Sequence, residues 1–180
     1  MTTHIALLRA VNVGGRKVPM SDLRRLVERA GFDDVRTYIQ SGNLVFTTKG
    51  KRADIEAKLE EIIAKKVQFE VPVIVRTAEE WATMAVGNPF PDAAPNVVYL
   101  LVSKTSPKQD AAKEIMARAT GSEELRVVDD AIWIHYPAGL GQSKITPTLI
   151  DKAVGSPTTA RNVNTVHALA EMALAKPSEG

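Results

Sequence analysis

Residues 34–48, DVRTYIQSGNLVFTT, decide the fold that the sequence predicts. The first part of this stretch alternates in side-chain character, so that Val35 and Ile39 fall on the same face of an extended strand. Ser41 and Gly42 then supply turn-forming residues, and the residues after them resume as a second strand. The stretch therefore predicts a β-hairpin near the N-terminus of the chain.

A strand and a helix are predicted on each side of this hairpin. Residues 4–10 form a mostly apolar run that is typical of a buried strand, and Pro19 and Gly31 bracket apolar residues at helical spacing. Residues 52–67 have the same helical spacing, and β-branched residues dominate 71–76. The order βαββαβ is that of a ferredoxin-like split βαβ lobe, whose antiparallel sheet has the strand order 4-1-3-2.

The second half of the chain partly repeats this pattern. A short helix around Trp81 and a proline-containing link precede a strand at 96–103, and Ser106-Pro107 predicts a helix start. Further elements are predicted as strands at 125–129 and 131–136 and as helices at 146–154 and 162–175. We therefore predict an α+β protein with a ferredoxin-like βαββαβ lobe (1–77), a helix and linker (78–95), and a second, related βαββαα lobe with two C-terminal helices (96–180).

The composition excludes several classes of protein. The chain has no cysteine, so it has neither disulfides nor thiolate zinc sites nor a cysteine nucleophile. Its apolar runs are strand-sized and fall short of the roughly 20 residues that span a bilayer. The N-terminus lacks the pattern of a signal peptide, and we expect a cytoplasmic location without membrane association. The net charge is +2, with the basic excess in the first 77 residues, which favours an anionic ligand there.

The predicted topology brings two distant loops to the same edge of the first sheet. Because its first and second strands run toward that edge, residues 12–17 and 40–43 should be neighbours beside the start of the first helix. Backbone N–H groups at a helix start favour anions, and glycines let the backbone approach a ligand closely. The candidate ligand-binding residues at this edge are Arg9, Asn12, Gly14, Gly15, Arg16, Lys17, Gln40, Ser41 and Asn43.

A purely structural interpretation of these loops stays open. The two glycines of the first loop could make only a tight strand-to-helix turn, and Ser41-Gly42 only a hairpin turn. Asn12 and Asn43 could bond only to the local backbone.

These same residues carry a family resemblance. The stretches 7–15 and 37–43 resemble two signatures of the bacterial domain-of-unknown-function family sixteen-ninety-seven, and Ser143-Lys144 with 160–166 is similar to its closing signature. The resemblance implies an α+β fold with a ferredoxin-like lobe and a second, related lobe, and it implies no activity. Two residues depart from the family pattern: Ala10 stands where glycine is usual, and Val163 stands where tryptophan is frequent.

A second candidate site lies in the glycine-rich stretch 137–144. Its spacing does not match a nucleotide-binding P-loop, because serine precedes Lys144 and no glycine stands directly before that lysine. Lys144 and Arg161 could instead face a ligand together. The three histidines are widely separated and lack metal-ligand spacing, so we expect no metal site, and no motif indicates a cofactor.

Three functions follow from these patterns. The first is a binding module for a small anionic or polar ligand at the edge formed by the 12–17 loop and the 40–43 turn. The alternatives are an enzyme that uses the same edge or the Lys144/Arg161 region, and an interaction protein that forms a homodimer. RNA binding on the sheet surface is disfavoured, because Phe46 is the only aromatic residue on the two central strands of the first lobe.

Overall fold

The computed structural model describes residues 1–175, so the last five residues of the predicted second lobe lie outside the described residues. The chain divides into two compact units. Unit 1 contains Met1–Ala82 together with residues 169–175 of the described chain, and unit 2 contains Thr83–Ala168. No helix in the described part of the chain has the length and apolar character needed to cross a membrane.

Unit 1 is built on a four-stranded antiparallel sheet. Its elements are β1 (Thr2–Leu8), α1 (Met20–Arg29), β2 (Asp33–Tyr38), β3 (Asn43–Thr48), α2 (Arg52–Val67), β4 (Val73–Thr77) and the start of α3 (Ala78–Val86). The strands are ordered β2-β3-β1-β4, which is the predicted order 4-1-3-2 counted from the other edge. The hairpin at residues 34–48 forms as predicted, except that β2 ends at Tyr38: Ile39, predicted to share a face with the buried Val35, lies in the turn and is 50% exposed.

The core of unit 1 lies between one face of this sheet and the two helices α1 and α2. Alternate strand residues such as Leu8, Phe46 and Val75 meet Leu23 of α1 and Leu59 of α2 in one buried cluster. Burying each of these large side chains contributes about 1.5–3 kcal/mol, so the cluster fixes the strand register and the helix positions together.

The outer edge of β4 is closed by α2. Backbone N–H groups of an edge strand lack a neighbouring strand and would otherwise be left open to other chains. Here the N–H groups of Val73 and Val75 donate to the carboxylates of Glu60 and Glu56, both at 2.9 Å. Two glutamates one helical turn apart thus cover the edge that a further strand would occupy.

Unit 2 contains a second four-stranded antiparallel sheet. Its elements are β5 (Val98–Ser103), α4 (Ala111–Met116), β6 (Glu124–Val128), β7 (Ala131–His135), a 3₁₀ turn (Leu140–Gln142), α5 (Pro147–Val154), β8 (Thr158–Asn162) and the start of α6 (Val163–Leu174). The strands are ordered β6-β7-β5-β8. The predicted order βαββαα was wrong in omitting β8, which pairs antiparallel with β5.

One helix of unit 2 begins later than predicted. Ser106-Pro107 has the composition of a helix start, yet α4 begins at Ala111. The Ser106 hydroxyl donates to the Asp130 carboxylate at 3.2 Å, so it bonds across to the β6–β7 turn instead of capping α4.

The two units repeat one topology down to the strand register. In unit 1, Ile5 pairs with Val45 on one side and Arg76 on the other. In unit 2, Leu100 pairs in the same way with Trp133 and Arg161. Just after the first strand of each unit, a backbone N–H donates at 3.0 Å to a proline carbonyl, from Arg9 to Pro72 and from Lys104 to Pro157. Equivalent positions in the two units can therefore be compared directly.

A buried carboxylate ties two loops of unit 2 together. Glu123 accepts hydrogen bonds from the Ser143 hydroxyl at 2.6 Å, from the Thr120 N–H and hydroxyl, and from the Gly121 N–H. These donors, led by the Ser143 hydroxyl, lower the pKa of Glu123 from 4.5 to about 2. The charged form of Glu123 is thus favoured by folding, and the Ser143 hydroxyl contributes most to this preference.

Replacing Glu123 tests this linkage through pH. A carboxyl with a lowered pKa stabilises the fold above its ordinary value of 4.5, and this stabilisation is lost as pH falls toward about 2. We expect Glu123→Gln to lower the melting temperature at pH 7 and the difference from wild type to shrink progressively between pH 5 and pH 3. Exposed Glu114→Gln, measured by the same thermal denaturation, is the control. A difference for Glu123→Gln that stays constant with pH would contradict this account.

Candidate functional site

The side chain of Asn12 joins the two loops that the sequence predicted to be neighbours. Its Nδ2 donates to the Gln40 carbonyl at 2.5 Å and to the Val18 carbonyl at 3.1 Å. Its Oδ1 accepts from the Val18 N–H at 2.7 Å. The 12–17 loop and the 40–43 turn therefore meet at one edge of the sheet of unit 1, and we call these two segments together the loop edge.

The 40–43 turn is held in place by hydrogen bonds on its buried side. The Leu8 N–H donates to the Gly42 carbonyl at 2.8 Å. Asn43 is fully buried, and its Nδ2 donates to the Tyr38 carbonyl and to the Ser41 hydroxyl, both at 2.9 Å. Asn43 and Gly42 thus shape the turn from inside the protein, whereas Gln40 is exposed and Ser41 is half-buried.

The 12–17 loop closes on itself and leaves its tip exposed. The Asn12 N–H donates to the Arg16 carbonyl at 2.6 Å, and the Lys17 N–H donates to the Gly15 carbonyl at 3.1 Å. Gly14 and Gly15 have φ angles of +57° and +85°, and their N–H groups make no hydrogen bond to any of residues 1–175. The loop is therefore a fixed structure with two exposed amide donors.

The cations of the loop edge differ in how they are held. The guanidinium carbon of Arg16 lies 5.1 Å from the centroid of the Phe69 ring, a cation–π contact that restrains an otherwise exposed side chain. Lys17 is exposed, and Arg9 is half-buried at the end of β1. The edge consequently carries positive charge at Arg16, which is restrained by Phe69, and at Lys17, which is exposed.

Strained backbone is concentrated at this edge. Ala10, Asn12 and Ile39 have φ angles of +55°, +56° and +46°, in the left-handed region that costs a residue with a Cβ about 1–2 kcal/mol. Ile39 is β-branched and 50% exposed, so neither its backbone nor its side chain is stabilised by burial. Such strain concentrates at functional sites, and the sequence analysis did not predict it. The one feature of the sequence that indicates this strain is position 10, where the family usually has glycine.

A groove of about 230 Å³ lies beside the loop, between the start of α1 and the last turn of α2. Its floor contains Leu23 and Ile63, and Lys17 and Lys66 stand along it. Sequence reasoning missed this groove, because its two walls come from helices that are about forty residues apart in the chain.

The structure does not support a shared site for Lys144 and Arg161. Lys144 is exposed on the connection to α5, next to Ile145. Ile145 belongs to the core cluster of unit 2, which packs one face of the sheet against Ile115 of α4 and Ile150 of α5. Arg161 is buried and alternates along β8 with Ala160, which packs against that same cluster, so the Arg161 side chain lies on the opposite face of the sheet.

Arg161 instead bonds to its own strand. It donates to the Thr159 hydroxyl at 2.7 Å and to the Ala160 carbonyl at 2.8 Å. Burial lowers its pKa to about 10, which leaves the guanidinium charged at neutral pH.

The chemistry available at the loop edge is hydrogen-bond donation and positive charge. The 12–17 loop and the 40–43 turn contain no carboxylate and no histidine, so they offer no acid/base pair. Across residues 1–175, no group of three or more histidine or acidic side chains is arranged to hold a metal ion.

Gly42 provides a test of how tightly this edge is packed. A Cβ at position 42 would lie 2.5 Å from Cγ2 of Val11 and 2.9 Å from Cβ of Leu8, at a φ angle of +80°. Left-handed strain and overpacking together should make Gly42→Ala destabilising by about 3 kcal/mol. Gly15→Ala is the matched control, since its φ angle of +85° is similar but nothing lies within 4 Å, and it should cost only about 1 kcal/mol. Equal losses in urea denaturation would refute the packing argument.

Comparison with known proteins agrees with the two-unit α+β structure. A conserved bacterial protein, SP0830 from Streptococcus pneumoniae, has a solved structure that superposes with a TM-score of 0.72. The two share 22% sequence identity, and the match covers 96% of this chain and 98% of that one, so the likeness concerns the fold. No curated protein matches the chain.

The family resemblance of the first two signatures is confirmed. The model of the family described as "Protein of unknown function (DUF1697)" matches residues 1–133, which include both signature loops of the loop edge. The stretches 143–144 and 160–166 lie beyond the matched residues. This protein belongs to the DUF1697 family.

Proposed function

We propose that the loop edge of unit 1 binds a small anion. The observation that carries this proposal is the pair of exposed N–H groups of Gly14 and Gly15, held in a loop that Asn12 clamps in place. Neighbouring backbone N–H groups that have no partner within the protein can donate to phosphate or carboxylate oxygens. Arg16 and Lys17 follow directly in the chain and supply the opposite charge.

The charge balance of the edge supports an anionic ligand. Residues 9–18 contain three cations and no acid, and residues 39–43 are uncharged. The acidic residue in the first turn of α1 is Asp22, and its carboxylate is held at 2.7 Å by Arg25. An incoming anion therefore meets positive charge that no carboxylate of the loop edge offsets.

The equivalent edge of unit 2 lacks these properties. Lys104 and Lys108 follow β5, but the β6–β7 turn carries Asp129 and Asp130. Asp130 also accepts from the Ser106 hydroxyl, so this pair of loops joins through a carboxylate and not through an amide. Within one repeated topology, only the edge of unit 1 has the composition of an anion site, and we assign the function to that edge.

We also assign a ferredoxin-like arrangement to unit 1 and a related one to unit 2. The assignment is supported by the strand orders β2-β3-β1-β4 and β6-β7-β5-β8, each with a helix after its first and third strands. In that arrangement the loop edge lies at the carboxyl ends of β1 and β2, the position on which the anion site depends.

The proposal is tested by titrating the protein with inorganic phosphate while following backbone amide resonances. We expect the Gly14 and Gly15 resonances to shift first, and the double variant Arg16→Ala/Lys17→Ala to bind about tenfold more weakly, because two partly exposed charges contribute about 1.4 kcal/mol together. Lys49→Ala/Lys51→Ala is the matched control, with the same charge change at the opposite end of β3. Equally weakened phosphate binding in both double variants, or no change in the amide resonance of either glycine, would contradict the proposal.

A further inference from the structure

We propose that the groove between α1 and α2 receives the apolar part of the anion, so that the ligand is a small amphipathic phosphate or carboxylate. This inference rests on the proposed function of the loop edge. It extends that function by naming the chemical class of the ligand.

The groove adjoins the loop edge through one shared residue. Lys17 ends the 12–17 loop and also lines the groove, so a molecule bound there lies directly beside the loop. The next residues, Val18 and Pro19, continue along the wall toward α1. Val18 is itself held by the Asn12 side chain, which couples the position of this wall to the clamp of the loop.

The floor of the groove is apolar and well fixed. Leu23 and Ile63 lie beneath the groove and are buried in the core between sheet and helices, at 1% and 0% exposure. Leu26 of α1 and Val67 of α2 are only partly buried and line the groove as well. An apolar group placed here would cover the exposed parts of Leu26 and Val67, which unit 1 otherwise leaves in water.

The rim of the groove is positively charged. Lys17 and Lys66 have no ion-pair partner among residues 1–175, whereas Asp22 on the same rim is engaged by Arg25. A neutral apolar ligand would make no ion pair with these two ammonium groups, and a simple inorganic anion would not contact the apolar floor. A ligand with one anionic group and one apolar group matches both features.

The size of the groove limits the apolar group. At about 230 Å³ it is smaller than the roughly 300–1,000 Å³ of pockets that enclose drug-sized ligands. A single ring or a short hydrocarbon chain fits such a space, and a nucleotide or a long acyl chain exceeds it. The ligand class is therefore a small phosphate monoester or carboxylate with a compact apolar substituent.

This inference can be tested by comparing the binding of phenyl phosphate, inorganic phosphate and benzyl alcohol, measured by amide chemical shifts and calorimetry. We expect phenyl phosphate to bind about tenfold more tightly than inorganic phosphate, to shift Gly14 and Gly15 together with Leu26 and Val67, and benzyl alcohol to bind far more weakly. Equal affinities for phenyl phosphate and inorganic phosphate would show that the groove does not take part in binding. The proposed anion site at the loop edge would be unaffected by that result. Shifts at Leu26 and Val67 without shifts at the glycines would overturn the link between the groove and the anion site.

Two neighbouring lysines of α2 supply matched variants. Lys66→Ala should weaken phenyl phosphate binding several-fold, because Lys66 lines the groove. Lys65→Ala should leave it unchanged, because Lys65 pairs with Glu61 at 2.5 Å and does not line the groove. Leu26→Asn should remove the preference for phenyl phosphate over inorganic phosphate. Equal effects of Lys66→Ala and Lys65→Ala, or a preference that survives Leu26→Asn, would refute the inference.

Discussion

The loop edge depends on the three hydrogen bonds of one side chain, Asn12. Its amide donates to carbonyls of two different segments and accepts the Val18 N–H, so a group with both donors and an acceptor is required. Asparagine also tolerates the left-handed backbone found at this position better than other residues with a Cβ. Aspartate at position 12 would lack both N–H donors, and its negative charge would repel the carbonyl oxygens of Val18 and Gln40. Geometry, donor count and backbone conformation therefore all demand asparagine.

The two signature loops combine two separate physical constraints. Gly42 and Asn43 face inward, where close packing and internal hydrogen bonds fix the turn. Gly14 and Gly15 face outward, where nothing within 4 Å restricts a side chain and the amide donors are exposed. A structural explanation accounts for the first pair. It does not account for the second pair, which is why we place the function at the tip of the 12–17 loop.

Much of unit 1 could be predicted from the sequence, because its strands and helices have clear periodicity. The convergence of residues 12–17 with 40–43 followed from strand order alone, before any contact was known. β8 was missed, because Thr158-Thr159-Ala160-Arg161-Asn162 has no apolar alternation and its stability comes from pairing with β5. Arg161 was misjudged for the same reason, since a charged residue on an unrecognised buried strand resembles an exposed one.

Features formed by tertiary contact could not be predicted. The groove requires the relative position of α1 and α2, which no local pattern encodes. The left-handed conformation of Ile39 contradicts the preference of a β-branched residue for extended backbone. The side-chain contacts of Asn12 could not be predicted either, although the nearness of the two loops could.

The clamp can be tested most directly by measuring backbone ¹⁵N order parameters in the Asn12→Asp variant. If Asn12 holds the edge, the order parameters of Gly14, Gly15 and Gln40 should fall toward the roughly 0.6 of flexible backbone, while those of Leu44–Phe46 in β3 stay near 0.85. Order parameters at the two glycines and Gln40 that match wild type would show that the edge holds itself together without the clamp, and would contradict the account.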